Sequence, residues 1–323
     1  MPRNASSAQR VPHITVGHFY ANHAEKLGLR LEGSSVGLNR KIGEPTINRP
    51  GLALTGFFSY FAGKRVQVFG AAELSYLKSL SADAQRRSLK ALLAHKVPCI
   101  VVARNSPIPT ALAEEAAARE TPVLRTNMIT MKFINAATIA LEFDFAPSTS
   151  EYGSMVDIMG IGTLIRGASG IGKSECVLSL IERGYSLISD DITKVRCVEG
   201  HELIGSCADL TRFHMEVRGI GIINIASIFG VGSVRPSKRL DFVVTLKDWH
   251  ELENVERVGL DQDTYEILGI KVPHVTIPVR TGRDLGRLVE VATLDQKLKS
   301  MGENSALEFN QRLMQMLSER RVR

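Results

Sequence analysis

The sequence predicts an α/β protein of two domains. Apolar runs alternate with helical periodicity in the first half of the chain. A complete phosphate-binding loop of the form G-x-x-x-x-G-K-[ST] stands between a strand and a helix in the second half. A stretch rich in Pro, Ser and Gly separates the two. At 323 residues the chain has room for two domains of ordinary size.

The opening "MPRNASSAQRVP" has two arginines with no apolar segment behind them. It reads as a frayed leader, not a secretory signal. "AELSYLKSLSADAQRRSLKALLAH" repeats apolar residues at three- and four-residue spacing and predicts helix. "VPCIVVAR" is a short apolar run and predicts a buried strand. "TALAEEAAARE" is helix by composition, and "TPVLRT" is a further short strand. Strand, helix, strand implies a parallel-type sheet in an N-terminal α/β domain of residues 1–142, with an assembly or regulatory role. "DFAPSTSEYG" then breaks the periodicity, so a second domain is expected over residues 143–323.

That second domain opens with "SMVDIMGIGTLIRG", two β-rich runs about Gly160 and Gly162 that predict a hairpin or tight turn. The phosphate loop follows, then a helix to about Arg183 closed by Gly184. "YSLISDD" predicts a strand ending in two carboxylates, and "RLDFVVTLKD" another strand. "GIGIINIASIFGVG" is apolar throughout and favours neither state. Residues 294–321 read as helical and end basic.

Composition excludes several classes. The net charge of +6 comes without a Lys/Arg block interleaved with aromatics, which argues against nucleic acid as a partner. No run of about 18 apolar residues occurs, so no membrane span is expected. Cys99, Cys176, Cys197 and Cys207 form no CxxC pair; the first two lie among apolar residues and read as buried thiols. A cytoplasmic location fits all four.

The loop is Gly167-Ala168-Ser169-Gly170-Ile171-Gly172-Lys173-Ser174. Its glycines allow backbone N–H groups to turn onto phosphate oxygens, and the helix behind it adds the positive end of its dipole. Lys173 is placed to reach the β- and γ-phosphates of a nucleotide, and Ser174 to hold Mg²⁺. Asp190 and Asp191 end the next strand, and a right-handed crossover brings that end to the side of the cradle. One carboxylate there could hold Mg²⁺ and the other take a proton from an attacking hydroxyl. On spacing alone, Glu216, Arg257, Arg280 and Arg283 are ordinary charged residues. These features admit a P-loop kinase for a protein or a small molecule, and a nucleotide-binding regulatory module. A GTPase switch lacks its Asn-Lys-x-Asp motif.

In this order, "NRPGLALTGFFSYFAGKRVQVFGAAELSYL", "VDIMGIGTLIRGASGIGKSECVLSLIERGYSLISDD", "MEVRGIGIINI", "VERVGLD" and "IPVRTGR" resemble the HPr kinase/phosphorylase family. The resemblance covers nearly the whole chain. It implies a homohexamer whose second domain has a phosphoenolpyruvate-carboxykinase-like nucleotide fold, and which uses ATP and Mg²⁺ to phosphorylate a serine of the phosphocarrier protein HPr. It implies that Asp191 is the acid/base residue, Glu216 a second Mg²⁺ ligand beside Ser174, and Arg257 a catalytic arginine beside Lys173. Pro278, Val279, Arg280, Thr281, Gly282 and Arg283 match a segment tied to dephosphorylation. There is one departure. The family pattern "HGxLVDIxG" stands here as "YGSMVDIMG", so Tyr152 occupies the histidine position, twenty-one residues before Lys173. A tyrosine is mostly a neutral donor near neutral pH, so the expectation is a surviving kinase direction with phosphorolysis weakened.

Overall fold

The computed structural model describes residues 13–33, 35–251, 263–280 and 282–321. The leader of residues 1–12, Arg257 with its "VERVGLD" segment, and Thr281 lie outside the described residues. The chain divides into two compact units, the first ending at Ala146 and the second starting at Pro147.

The first unit runs β1 (Ile14–Thr15), α1 (Val16–Leu27), β2 (Leu29–Glu32), β3 (Lys41–Ile42), β4 (Ile47–Asn48), α2 (Gly51–Leu54), β5 (Val66–Phe69), α3 (Ala71–Ser79), α4 (Ala82–Ala94), β6 (Ile100–Val102), α5 (Thr110–Ala117), β7 (Val123–Thr126) and α6 (Thr130–Phe145). Its five-stranded sheet has the order β2-β7-β6-β5-β4. The strands β4 to β7 are parallel, and β2 closes the edge antiparallel to β7. Successive residues of β6 and β7 face opposite sides. Val101 and Leu124 join the core under α1 and α6, whereas Ile100, Val102 and Val123 join the core under α2 to α5. Each fully buried Leu or Val here is worth about 2 kcal/mol. The stretch read as one long helix is two, because Ser81 starts a new one by accepting the N–H of Ala84 on its hydroxyl.

The second unit runs β8 (Ser148–Tyr152), β9 (Ser154–Ile158), β10 (Ile161–Gly167), α7 (Lys173–Glu182), β11 (Ser186–Ser189), β12 (Ile192–Val198), β13 (Glu202–Ser206), β14 (His214–Val217), β15 (Gly221–Asn224), α8 (Ile225–Phe229), β16 (Ser237–Arg239), β17 (Phe242–Asp248), β18 (Asp263–Ile267), β19 (Ile270–Val279), α9 (Leu285–Ser300) and α10 (Ser305–Arg321). The undecided apolar stretch is thus a strand followed by a short helix. The C-terminal helical region is interrupted between Ser300 and Ser305.

A six-stranded sheet of order β11-β9-β10-β17-β19-β18 forms the centre of this unit. Val156, Ile165 and Val244 pack under α7 and α9, while their neighbours Met155, Leu164 and Val243 pack against a four-stranded sheet, β16-β13-β12-β8. The sheet is mixed: β10, β17 and β19 are parallel, and β9 lies antiparallel between β10 and β11. The crossover through α7 therefore passes over β9. A two-residue turn, Met159 at φ 52° and Gly160 at φ 90°, holds β9 beside β10, so β11 adds beyond it. Two antiparallel pairings restore the direction, and β10 and β11 end on the same side of the sheet.

The four cysteines are free thiols. Burial pushes the thiols of Cys99 and Cys176 up to about 12, so both stay protonated near neutral pH. Iodoacetamide at about pH 8 is expected to alkylate the part-exposed Cys207 of the native protein and to spare Cys99 and Cys176. Peptide mass spectrometry checks this; modified Cys99 in folded protein would contradict it.

Candidate active site

The cradle begins where β10 ends. Gly167 has φ 156°, and a Cβ there would meet the carbonyl oxygen of Leu246 at 2.8 Å, so the strand can leave the sheet only through a glycine. Gly172 caps α7 at φ 101° in the left-handed region. Behind it Cys176, Val177, Leu180 and Ile181 seat α7 on the sheet. The free N–H groups of its first turn open into the cleft. The ammonium of Lys173 donates to the carbonyls of Gly167 and Ala168, both at 3.0 Å, and so lies folded over the loop.

The α7 start is braced from α9. Leu285 lies 3.3 Å from where a Cβ on Gly172 would stand. Gly286 admits the Ser179 hydroxyl to 2.6 Å of its own Cβ position. Arg183 pairs with Asp284 at 2.6 Å and with Glu290 at 3.1 Å, and the Tyr185 hydroxyl donates to Glu290 at 2.6 Å.

A cleft of about 210 Å³ is lined by Ser169, Gly170, Gly172, Lys173, Ser174, Glu175, Asp191, Glu216 and Arg218. Lys173, Ser174, Asp191 and Glu216 thus face one space. Asp191 has φ 56°, a left-handed conformation uncommon outside glycine. Its carbonyl accepts the Gly153 N–H at 2.8 Å. Glu216 comes from β14, where alternation sends Met215 and Val217 into the core and Glu216 outward.

Asp190 plays a different part from its neighbour. Its Oδ1 accepts the Ser154 hydroxyl at 2.7 Å and its Oδ2 accepts the Glu216 N–H at 3.2 Å, so both oxygens are engaged by the protein. Burial pushes its carboxyl above the ordinary carboxylate range. The Ser154 hydroxyl pulls the other way, and the charge of Asp191 raises it again.

The other sequence candidates stand apart from the cleft lining. Tyr152 ends β8 with an exposed ring, and its carbonyl accepts Arg166 Nε at 3.3 Å. It pairs in register with Ile192, next to Asp191. Pro278 and Val279 end β19. Gly282 turns at φ 85°, and Arg280 and Arg283 lie over the Trp249 ring at 5.3 and 5.7 Å. Three residues carry no reading from sequence, Arg218, Glu175 and Ser154. The guanidinium of Arg218 comes within 3.5 Å of the Ser169 hydroxyl at the loop tip. Arg218 stands in the turn just after β14, and its one usable signal is a cationic side chain two residues beyond Glu216. Ser154 had no such signal.

These residues fit a magnesium nucleotide. The glycine-lined cradle excludes a Cβ at Gly167, and the Ser174 hydroxyl and Glu216 carboxylate in the cleft are hard-oxygen donors of the kind Mg²⁺ takes beside phosphate. Among the described residues no group of three or more His, Cys, Asp or Glu could hold a metal ion. No helix among them is long and apolar enough to cross a membrane.

Comparison with known proteins bears on the whole chain. The family described as HPr Serine kinase C-terminal domain matches residues 143–313, and that described as HPr Serine kinase N terminus matches residues 14–141. The HPr kinase/phosphorylase of Leptospira biflexa is 42% identical over 305 residues, 94% of each chain. That of an Exiguobacterium species is 41% identical over 293 residues, 91% of this chain and 94% of the relative. That of Bacillus cereus is 39% identical over 290 residues, 90% of this chain and 94% of the relative. A solved structure, of the Hpr(Ser) kinase/phosphatase from Coxiella burnetii, is 31% identical with a TM-score of 0.46, covering 50% of this chain and 98% of the other.

Proposed function

This chain belongs to the HPr kinase/phosphorylase family, and on that premise we propose that it transfers the γ-phosphoryl group of ATP to a serine of HPr. The observation that carries the reading is the meeting of Lys173, Ser174, Asp191 and Glu216 in one cleft at the start of α7. The N–H groups of the α7 start and the Lys173 ammonium hold the phosphate oxygens. Asp191 accepts the proton of the attacking serine hydroxyl. Ser174 and Glu216 would hold Mg²⁺, which when bound neutralises charge on the transferring group. Arg257 is assigned by family likeness to the same neutralisation. In the reverse direction the phosphoryl group passes from phosphoserine to inorganic phosphate, and Asp191 returns the proton to the serine oxygen. The segment 278–283 is assigned to that direction by family likeness.

The same proposal takes the second unit as a phosphoenolpyruvate-carboxykinase-like nucleotide fold, supported by a phosphate loop rising from a mixed sheet. It includes a cytoplasmic setting, supported by the free thiols, and a homohexamer, supported by the exposed Phe309, Met314 and Leu317 of α10. Light scattering giving a monomer would remove the hexamer from it.

The test uses purified protein, Mg²⁺ and γ-labelled ATP with HPr, against HPr whose acceptor serine is replaced by alanine. Label on HPr and not on the control supports the reading. Absence of label with nucleotide binding intact would overturn it.

Tyr152 bears on direction. A histidine at this exposed position beside Asp191 could carry a proton near neutral pH, which a tyrosine does poorly. Tyr152→His is expected to raise phosphate-dependent formation of pyrophosphate from phosphoserine-HPr about 100-fold, the order of one acid/base group, with the kinase rate changed less than about threefold. Wild-type phosphorolysis as fast as that of the variant would contradict it.

A further inference from the structure

We infer that Ser154 is a positioning residue of the transfer site, its hydroxyl setting both the carboxylate of Asp191 and the strand that carries Glu216. The inference rests on the reading of those two groups as acting in the cleft. Ser154 is fully buried at the start of β9. Its hydroxyl donates to Asp190 Oδ1 at 2.7 Å and its oxygen accepts the Asp191 N–H at 3.3 Å. Asp190 Oδ2 accepts the Glu216 N–H at 3.2 Å. One continuous chain of hydrogen bonds therefore joins the central sheet, the turn after β11 and the β14–β15 ribbon.

Each end of this chain needs it. The Asp191 side chain makes no hydrogen bond among the described residues, so its direction is set by its backbone, held at φ 56°. Two hydrogen bonds hold that backbone, its carbonyl accepting from Gly153 and its N–H donating to Ser154. The Ser154 bond runs through a side chain, and it fixes the peptide that leads into Asp191. Among the described residues the ribbon of β14 and β15 pairs with no other strand. Such a ribbon is marginal alone. Met215 and Val217 anchor it by packing, which is non-directional; the bond to Asp190 sets where along the cleft Glu216 stands. A register set by the β11 irregularity between Leu187 and Ser189 brings Asp190 over Ser154.

The experiment compares wild type, Ser154→Ala, Ser154→Thr, Asp190→Asn and the Ala/Asn double variant. It measures binding of N-methylanthraniloyl-ATP with and without Mg²⁺, and HPr phosphorylation. For Ser154→Ala the nucleotide affinity without Mg²⁺ is expected to stay within about twofold, while the Mg²⁺ concentration for half-saturation rises about tenfold, the effect of losing a hydrogen bond to a charged group. The kcat falls about tenfold with KM for HPr unchanged. Ser154→Thr restores both. Asp190→Asn adds less in the Ser154→Ala background than alone, as residues of one network do. If the extra methyl of Thr prevents folding, the double-variant cycle decides. Wild-type Mg²⁺ half-saturation in Ser154→Ala, or additive losses in the cycle, would overturn the inference. Should the wild type place no label on HPr, the HPr reading fails while the Mg²⁺ titration still decides the role of Ser154.

Discussion

Asp191→Asn is expected to lower phosphorylation of HPr by about 10³-fold and to leave nucleotide affinity within about twofold. The substitution keeps size and shape, and Asn tolerates the left-handed backbone at φ 56° as well as Asp does. It removes the ability to take a proton. The residues that cradle phosphate, Gly167 to Ser174, do not touch the Asp191 side chain among the described contacts, so binding has no reason to fall. Rapid-quench transfer and equilibrium nucleotide binding measure the two effects separately. Parallel loss of binding and transfer would assign Asp191 to holding the nucleotide and not to the proton.

Gly162→Ala is expected to destabilise the second unit by about 3 kcal/mol or more, seen as a fall of about 8 °C in its melting temperature. The Cβ position of Gly162 lies 1.8 Å from the carbonyl oxygen of Arg239 and 2.8 Å from Met155 Cε. Neither Gly162 nor its neighbour chain can step aside easily. Its N–H donates to Asp241 Oδ2 at 2.9 Å and its carbonyl accepts the Asp241 N–H at 2.8 Å. A methyl group there must part β10 from the 239–241 segment that leads into β17. Gly160, two residues earlier, has open space at its Cβ position and only its φ of 90° to defend. Gly160→Ala should therefore cost about 1 kcal/mol. Differential scanning calorimetry of the two variants gives the contrast; equal melting temperatures would refute it.

These two glycines mark one limit of reading the chain. Their sequence signal is the same, a turn between β-rich runs. One serves the turn, and the other serves a contact with residues nearly eighty positions away. Helices and strands of the first unit were legible because burial on both sheet faces leaves continuous apolar runs, and because helix faces repeat every three or four residues. The break at Ser81 was less so, since α3 and α4 both keep helical spacing across it. The strand order of the second unit was not legible. The crossover rule placed the carboxylates on the side of the cradle but carried no information about β9 standing between.

The sequence by itself determined the phosphate loop, the strand before it, the helix behind it and the pair of carboxylates that follows. Each depends on residues within one turn or one strand of each other, where backbone geometry leaves few choices. Only the tertiary structure separated Asp190 from Asp191, turning the first inward to Ser154 and Glu216 and the second toward the cleft. Glu216 carried no signal in its spacing and entered through family likeness alone; the fold brings it to the loop from 26 residues beyond Asp190. The physical reason is range. Periodicity records which face of an element is buried, whereas a hydrogen bond across 26 or 36 residues depends on which strands become neighbours, and packing of the whole unit makes that choice.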